Sequence, residues 1–326
     1  MPTSSIHPEK SSPGVQPPGS LNLLLATAQI CAALGIFFGL SQSSSWWHVA
    51  LLAVAFIVVG NAIYFMLHEA EHRALHRVRW INDIAGTILA MFFPAPFALL
   101  RRAHLAHHYY NRTINEAFDL YLPDDPRWWK RLQFYGLLTG AFYIVTVLGG
   151  LFLSLIPSRL LRRVVRFDRQ TSAFIGLLDA RTLWWIRIQT IAAIILHTAI
   201  VWTLTIPWPT YLLTYLAFGV SWSTMQYLHH YGTPLDRRNG AVDLRPLPLL
   251  SWVWLHHHLH LTHHRHPRAS WIRLPELAQK EGIQADSMWR QYLRQWRGPT
   301  LLTTDQSHNA AIRLKRRDEE YAFNAS

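Results

Sequence analysis

Seven of the twelve residues from Leu255 to His266, LHHHLHLTHHRH, are histidines. Within that stretch His260, His263 and His264 form an H-x-x-H-H group, and the same group recurs as His104, His107 and His108 in RRAHLAHHYY. A third cluster, His68 and His72, lies in MLHEAEHRAL. Residues three and four apart share a helix face, so each cluster aims two imidazoles at a common point; the adjacent third histidine sits about 100° round the axis. Neutral imidazole nitrogen suits iron, copper, nickel and zinc alike. Three converging clusters supply donors for more than one ion.

The elements that must position these clusters read as membrane helices. Of 326 residues, 50% are hydrophobic, and long uncharged runs favour one bilayer-embedded unit over two soluble domains. The formal net charge of +12 sits in loops beside apolar runs, as the positive-inside rule expects, and so points away from a nucleic-acid partner. The single cysteine, Cys31, rules out an intrachain disulfide, a cysteine-ligated zinc site and an iron–sulfur cluster. Electrons for any redox chemistry must therefore come from another protein.

Residues 1–20, rich in Pro, Ser and Gly, read as a disordered tail. Residues 21–40 and 48–67 form a first hairpin of spans around Trp46 and Trp47, which returns His68 to the side where the tail began. Residues 184–206 and 209–229 form a second, turning at Pro207-Trp208-Pro209 and delivering His229 and His230 to the same basic, cytoplasmic side. Residues 81–100 lie between two basic segments, so they must re-enter or lie at the interface, with Pro94 and Pro96 as the break. The run 132–156 poses the same problem, and a bend near Gly149 and Gly150 is expected. After residue 232 the chain is polar, with an amphipathic stretch around Trp289 to Trp296 and a charged tail ending near Tyr321. The expected fold is an all-α membrane protein: a four-span bundle of two hairpins, re-entrant or interfacial helices and a cytoplasmic histidine-rich cap. The expected division is 1–20 tail, 21–275 membrane-embedded unit and 276–326 amphipathic, charged tail.

Three other readings of the histidines account for less than a multi-metal site does. Lone histidines such as His48 and His197 read as satisfied or interfacial side chains. His68-Glu69-Ala70-Glu71-His72 also fits H-E-x-x-H, the zinc-protease pattern with the glutamate as general base, but that reading leaves six or more clustered histidines without a role. A metal transporter would place polar groups within the spans, which are nearly free of them.

H68-E-A-E-H72, H104-L-A-H-H108 and H260-L-T-H-H264 resemble the three histidine boxes of the integral-membrane fatty acid desaturase superfamily, which includes acyl desaturases, hydroxylases and ketolases. Q226-Y-L-H-H-Y-G232 is similar to that superfamily's Asn-x-x-x-His element, and LTHHRHP and HHYGTP lean toward the bacterial acyl desaturase branch. The resemblance runs over about residues 21 to 275. It implies two iron ions with His68, His72, His104, His107, His108, His230, His260, His263 and His264 as ligands, and Gln226 where an asparagine would hold a metal-bound water. Gln226 is one methylene longer than that asparagine. His76, His229, His256, His257, His258 and His266 become supporting side chains. The implied reaction takes dioxygen and two electrons from a separate ferredoxin-like donor with its reductase, and attacks an unactivated C–H bond of an acyl lipid or acyl thioester in the bacterial inner membrane. A double bond and an alcohol both follow from one such ligand set.

Glu116 and Asp119, close behind the second box, either hold histidine N–H groups or pair with Arg101, Arg102 or Arg112, with pairing the preferred reading. The run Arg159 to Arg169 suits an acyl carrier's phosphate, an acidic electron donor or anionic lipid, with anionic lipid the preferred reading. Together with Arg101, Arg102, Arg127, Lys130 and Arg131 it also offers an acidic electron carrier a complementary field.

Overall fold

The apolar runs form long helices in a computed structural model that describes residues 16–157, 160–161 and 169–302. These are α1 (Gly19–Ser41), α2 (Trp46–Glu71), α8 (Ala180–Thr203) and α9 (Trp208–Met225). α1, α2 and α8 are long and apolar enough to cross a bilayer, with mean hydropathies of 2.1, 2.4 and 1.5. The fourth expected span, α9, has 18 residues and is less apolar, because its buried face carries Tyr211, Thr214, Tyr215 and Ser223. Residues 19 and 20, assigned to the tail by composition, form the first turn of α1.

α2 is the central element. From Gly60 to Glu71 every residue is buried, as a helix must be when other helices surround it. α1, α3 (Arg79–Phe92) and α9 pack against it. Phe37, Phe56, Phe93, Tyr215 and Phe218 fill the core, with Phe56 edge-on to Tyr215 and Phe218. Leu24, Phe38, Leu51, Val54, Leu148 and Ile195 face outward, which suits acyl chains rather than water. Trp46, Trp47, Trp202 and Trp208 are exposed at the helix ends farthest from the histidines, where an aromatic belt belongs. The second expected hairpin is splayed: α9 packs along α2, α8 along α6 (Ala141–Leu155), and α6 contacts both.

The two problem segments are bent helix pairs. α3 and α4 (Phe97–Tyr110) meet at 100° across the Pro94–Pro96 break, as expected. Such a break frees backbone groups that lipid cannot satisfy. Here His197 Nε2 donates to the carbonyl of Met91 at 2.8 Å, the Tyr215 hydroxyl donates to that of Phe92 at 3.1 Å, and Gln189 accepts from the Ala98 N–H at 2.8 Å. Tyr211 completes the cap with a 2.6 Å bond to His197 Nδ1. His197→Phe is expected to lower stability by about 1–3 kcal/mol for each polar group it leaves unpaired, seen as a lower melting temperature in detergent with metal content unchanged.

α5 (Arg127–Thr139) and α6 meet at 95°, but at Gly140 rather than at Gly149 and Gly150. Gly140 has φ of 94°, and a Cβ there would meet Val220 at 2.8 Å, so both conformation and space demand glycine. Gly150 stays helical and admits the Pro96 ring, which would lie 2.7 Å from a Cβ.

The cap is made of loops and short helices: α7 (Arg169–Gly176), α10 (Pro248–Val253), α11 (His260–Arg265), α12 (Leu274–Lys280) and α13 (Met288–Gln295). Two parallel two-residue pairs tie it together. β1 (Leu120–Tyr121) joins β4 (Thr300–Leu301), and β2 (Leu244–Arg245) joins β3 (Asp286–Ser287). The charged tail from residue 303 and the side chains of the Arg159–Arg169 run lie outside the described residues.

Candidate metal centre

The imidazoles converge at the cap end of α2. His68 and His72 come from its last turn and C-cap, His104, His107 and His108 from α4, His230 from the turn after α9, and His260, His263 and His264 from α11. They sort into two sets, each with one nitrogen per residue lying within 4.8 Å of all the others. One set is His68, His72, His104, His108 and His263; the other is His107, His230, His260 and His264. α4 gives its i, i+4 pair to the first set and its i+3 histidine to the second, and α11 does the reverse. All nine expected ligands are thus brought together.

Within the first set, His72 Nε2 lies 2.6 Å from His104 Nε2, and His108 Nε2 lies 3.0 Å from both His104 and His263. Within the second, His264 Nε2 lies 3.2 Å from His107 and from His260, and His260 lies 3.1 Å from His230. Two imidazoles on one metal, each about 2.0–2.1 Å away, stand roughly 2.9 Å apart at right angles and roughly 3.3 Å apart at the tetrahedral angle. The spacing fits. His68 Nε2 is buried with no hydrogen-bond partner among the described residues, as a nitrogen awaiting a metal would be. Five donors around one point exceed the four of a tetrahedral zinc site and suit a metal of higher coordination number.

The outer nitrogens set the tautomers. His107 Nδ1 bonds Glu116 at 2.8 Å and His230 Nδ1 donates to the Gly240 carbonyl at 2.7 Å, which leaves each Nε2 lone pair facing inward. Glu71, buried beside His72, holds Oε2 3.8 Å from His104 Nδ1. Burial, with His107 and Arg101 nearby, pushes His72 down to about 3. Burial and neighbouring imidazoles also lower His230, His260, His263 and His264. These side chains are therefore neutral donors at physiological pH.

The cap positions α11 through Asp243, whose carboxylate accepts from the Thr262 N–H at 3.1 Å and hydroxyl at 2.6 Å. Trp271, just beyond α11, donates its N–H to Glu69 at 3.2 Å and its indole N–H to Asn22 at 3.0 Å. No sequence pattern marks Asp243 or Asn22 for these roles, and Glu71 is marked only by standing between two ligands.

The two carboxylates after the second box part ways. Glu116 orients a histidine, and Asp119 pairs with Arg112 at 2.5 Å. Of the basic residues expected to face a carrier, Lys130 is buried, Arg101 pairs with Asp83 and Arg102 with Asp179. Gln226 accepts from the Tyr64 hydroxyl at 3.3 Å and donates to the Trp222 carbonyl at 3.0 Å. His76 accepts from the Val78 N–H, His256 meets Ser251 and His266 meets Glu281, all outside the two sets. His229 bonds the Val242 carbonyl, and His257 stacks on Phe65 with its ring 4.7 Å from that of His68. Glu116→Gln is expected to weaken metal binding about 10–100-fold, read by titration of metal into the purified apoprotein.

A helical membrane body that closes two histidine sets under its cap defines a membrane protein suited to hold two metal ions. The fatty acid desaturase family model matches residues 44–296, and the chain belongs to that family. It is also 33% identical over 79 residues to the sn-1 oleoyl-lipid 12-desaturase of Anabaena variabilis, a match covering 22% of this chain and 23% of that protein.

Proposed function

We propose that the protein is an acyl-lipid desaturase of the bacterial inner membrane, with two iron ions held on the cytoplasmic side. His68, His72, His104, His108 and His263 hold one; His107, His230, His260 and His264 hold the other. The observation that carries this reading is the division of nine imidazoles into five and four at the end of a membrane bundle. The oleoyl-lipid substrate in the relative's name supports the substrate class. In the reaction, dioxygen, two electrons and two protons convert two neighbouring CH₂ groups into a CH=CH unit and two waters; irons held by the two sets would supply the oxidising power. The electrons come from a separate ferredoxin-like carrier and its reductase.

The protein's own part is to place one carbon pair against the two sets and keep water away. Tyr64 and Phe65, one turn before His68, pack with Phe93, Trp222 and Trp254 to form an apolar aromatic wall on the membrane side of the histidines. Glu116 holds the orientation of the His107 imidazole. Expression in a host whose lipids are profiled by mass spectrometry tests the proposal. The expected product has lost two hydrogens; a product that has gained one oxygen would instead make the protein a hydroxylase of the same superfamily.

The zinc-protease alternative fails on the position of Glu69. Its buried carboxylate is engaged by the Trp271 N–H, where a general base would have to reach water on the metal. Glu69→Gln is therefore expected to keep lipid-modifying activity within a few-fold of the parent, measured in the same host. A general base would lose about 10²–10⁴-fold.

A further inference from the structure

Helix α13 is turned inside out for a helix on a protein in water. Its polar Gln291 and Gln295 are 4% and 0% exposed, and they donate to the carbonyls of Tyr231 and Thr224 at 2.8 and 3.4 Å. Its apolar Trp289 and Leu293, with Trp296 at its C-cap, are 70%, 67% and 43% exposed. The spacing i, i+4, i+7 puts these three on one face, and Arg290, Arg294 and Arg297 repeat the spacing about 100° round the axis. An apolar stripe beside a basic one, with the remaining face bonded to the protein, is the pattern of a helix lying in a membrane interface.

The neighbouring helix supplies a direction. Tyr135 of α5 bonds the Trp296 carbonyl at 3.4 Å, and the two rings lie 6.4 Å apart. α5 turns 95° into α6, whose Val145, Leu148, Phe152 and Leu155 are exposed apolar residues of the lipid-facing surface. A helix at that corner runs along the bilayer surface if α6 runs into it. α5 exposes Trp128 and Leu132, four residues apart, with Arg127 and Arg131 beside them. Neither α5 nor α13 contains a carboxylate.

We propose that α13, together with α5, lies in the headgroup region of the bilayer. Trp289, Leu293 and Trp296 enter the acyl boundary, and the arginines meet lipid phosphates. The surface continues the lipid-facing belt from α6, so its occupant is the membrane and not an acidic carrier protein. This inference rests on membrane embedding and is independent of the reaction catalysed.

The test uses the full chain in nanodiscs containing anionic lipid, in a Cys31→Ser background, since Cys31 is the only cysteine. A nitroxide is attached in separate proteins at Leu293→Cys, Trp289→Cys and, as an aqueous reference, Gln284→Cys in the exposed loop before β3. The expected result is a ratio of oxygen to nickel-chelate accessibility several-fold higher at 293 and 289 than at 284. Chelate access at 293 and 289 equal to that at 284 would place the face in water and overturn the proposal. So would protection from both reagents, or protection appearing only when an acidic carrier is added, since each would make the occupant a protein.

Discussion

Replacing His108 or His264 by alanine is expected to abolish turnover and to reduce bound metal from two ions per chain to one. His108 stands within about 3 Å of two other donors of the first set, and His264 does the same in the second. Supporting residues around a metal site already cost about 10–100-fold in affinity when lost, so a direct donor should cost more. The two variants separate the centres: His108→Ala should empty the five-histidine set, and His264→Ala the four-histidine set. Metal analysis with a spectroscopic probe of metal–metal coupling reads both results, because a single remaining ion has no partner. Membrane insertion should be unchanged, since both residues lie at the cap end of the bundle. Full retention of two ions in either variant would remove these residues from the ligand set.

The second large effect concerns stability. Asp119→Ala should cost about 3–5 kcal/mol, because it leaves the buried Arg112 guanidinium without its counter-charge. One Asp119 oxygen accepts from Arg112 at 2.5 Å and from the Tyr227 hydroxyl at 2.7 Å, and the other accepts from the Gly232 N–H at 2.7 Å. Burial pulls Arg112 down, but Tyr227 and Asp119 outweigh it and hold the guanidinium above its ordinary value. It therefore keeps its charge at any usable pH and cannot escape by losing a proton. Arg112 also donates to the Thr233 carbonyl at 2.8 Å, so the cluster ties the loop after α4 to the turn that carries His230. The melting temperature in detergent should fall for Asp119→Ala and fall less for Asp119→Asn, which keeps hydrogen-bond acceptance without the charge. Metal occupancy of the four-histidine set should fall in parallel. A melting curve for the alanine variant that overlays the parent's would show that the pair contributes nothing.

The buried histidines also set a direction with pH. His72, lowered in the fold to about 3 from an ordinary 6.5, binds its proton more readily in the unfolded chain. Its neutral form contributes stability that is fully present above the unfolded value and is lost as pH falls from there toward 3. Acid should therefore weaken both the fold and metal retention.

Several features were legible from sequence because they follow from one helix or one residue type. The spans at residues 21–40 and 48–67, the break at Pro94 and Pro96 and the three histidine clusters need only chain length, proline geometry and helical spacing. The bend in 132–156 was misplaced, since two adjacent glycines at 149 and 150 look like a break when their neighbours are unseen. Gly140 carries the turn because Val220 of a distant helix leaves no room for a Cβ. Asp119 and Glu116 look alike in sequence, and only the partner facing each one distinguishes a buried ion pair from a histidine support.

By itself the sequence determined the donor type, the three clusters and the membrane setting, because 3.6-residue periodicity and the cost of charge in lipid act locally. The tertiary structure alone decided how the donors are divided. His104 and His108 go to one set while His107 goes to the other, and α11 reverses the arrangement with His260 and His264 against His263. Helical spacing establishes which residues share a face. Which ion that face serves depends on what the opposing helix presents across the gap, and that is a property of packing between segments far apart in the chain.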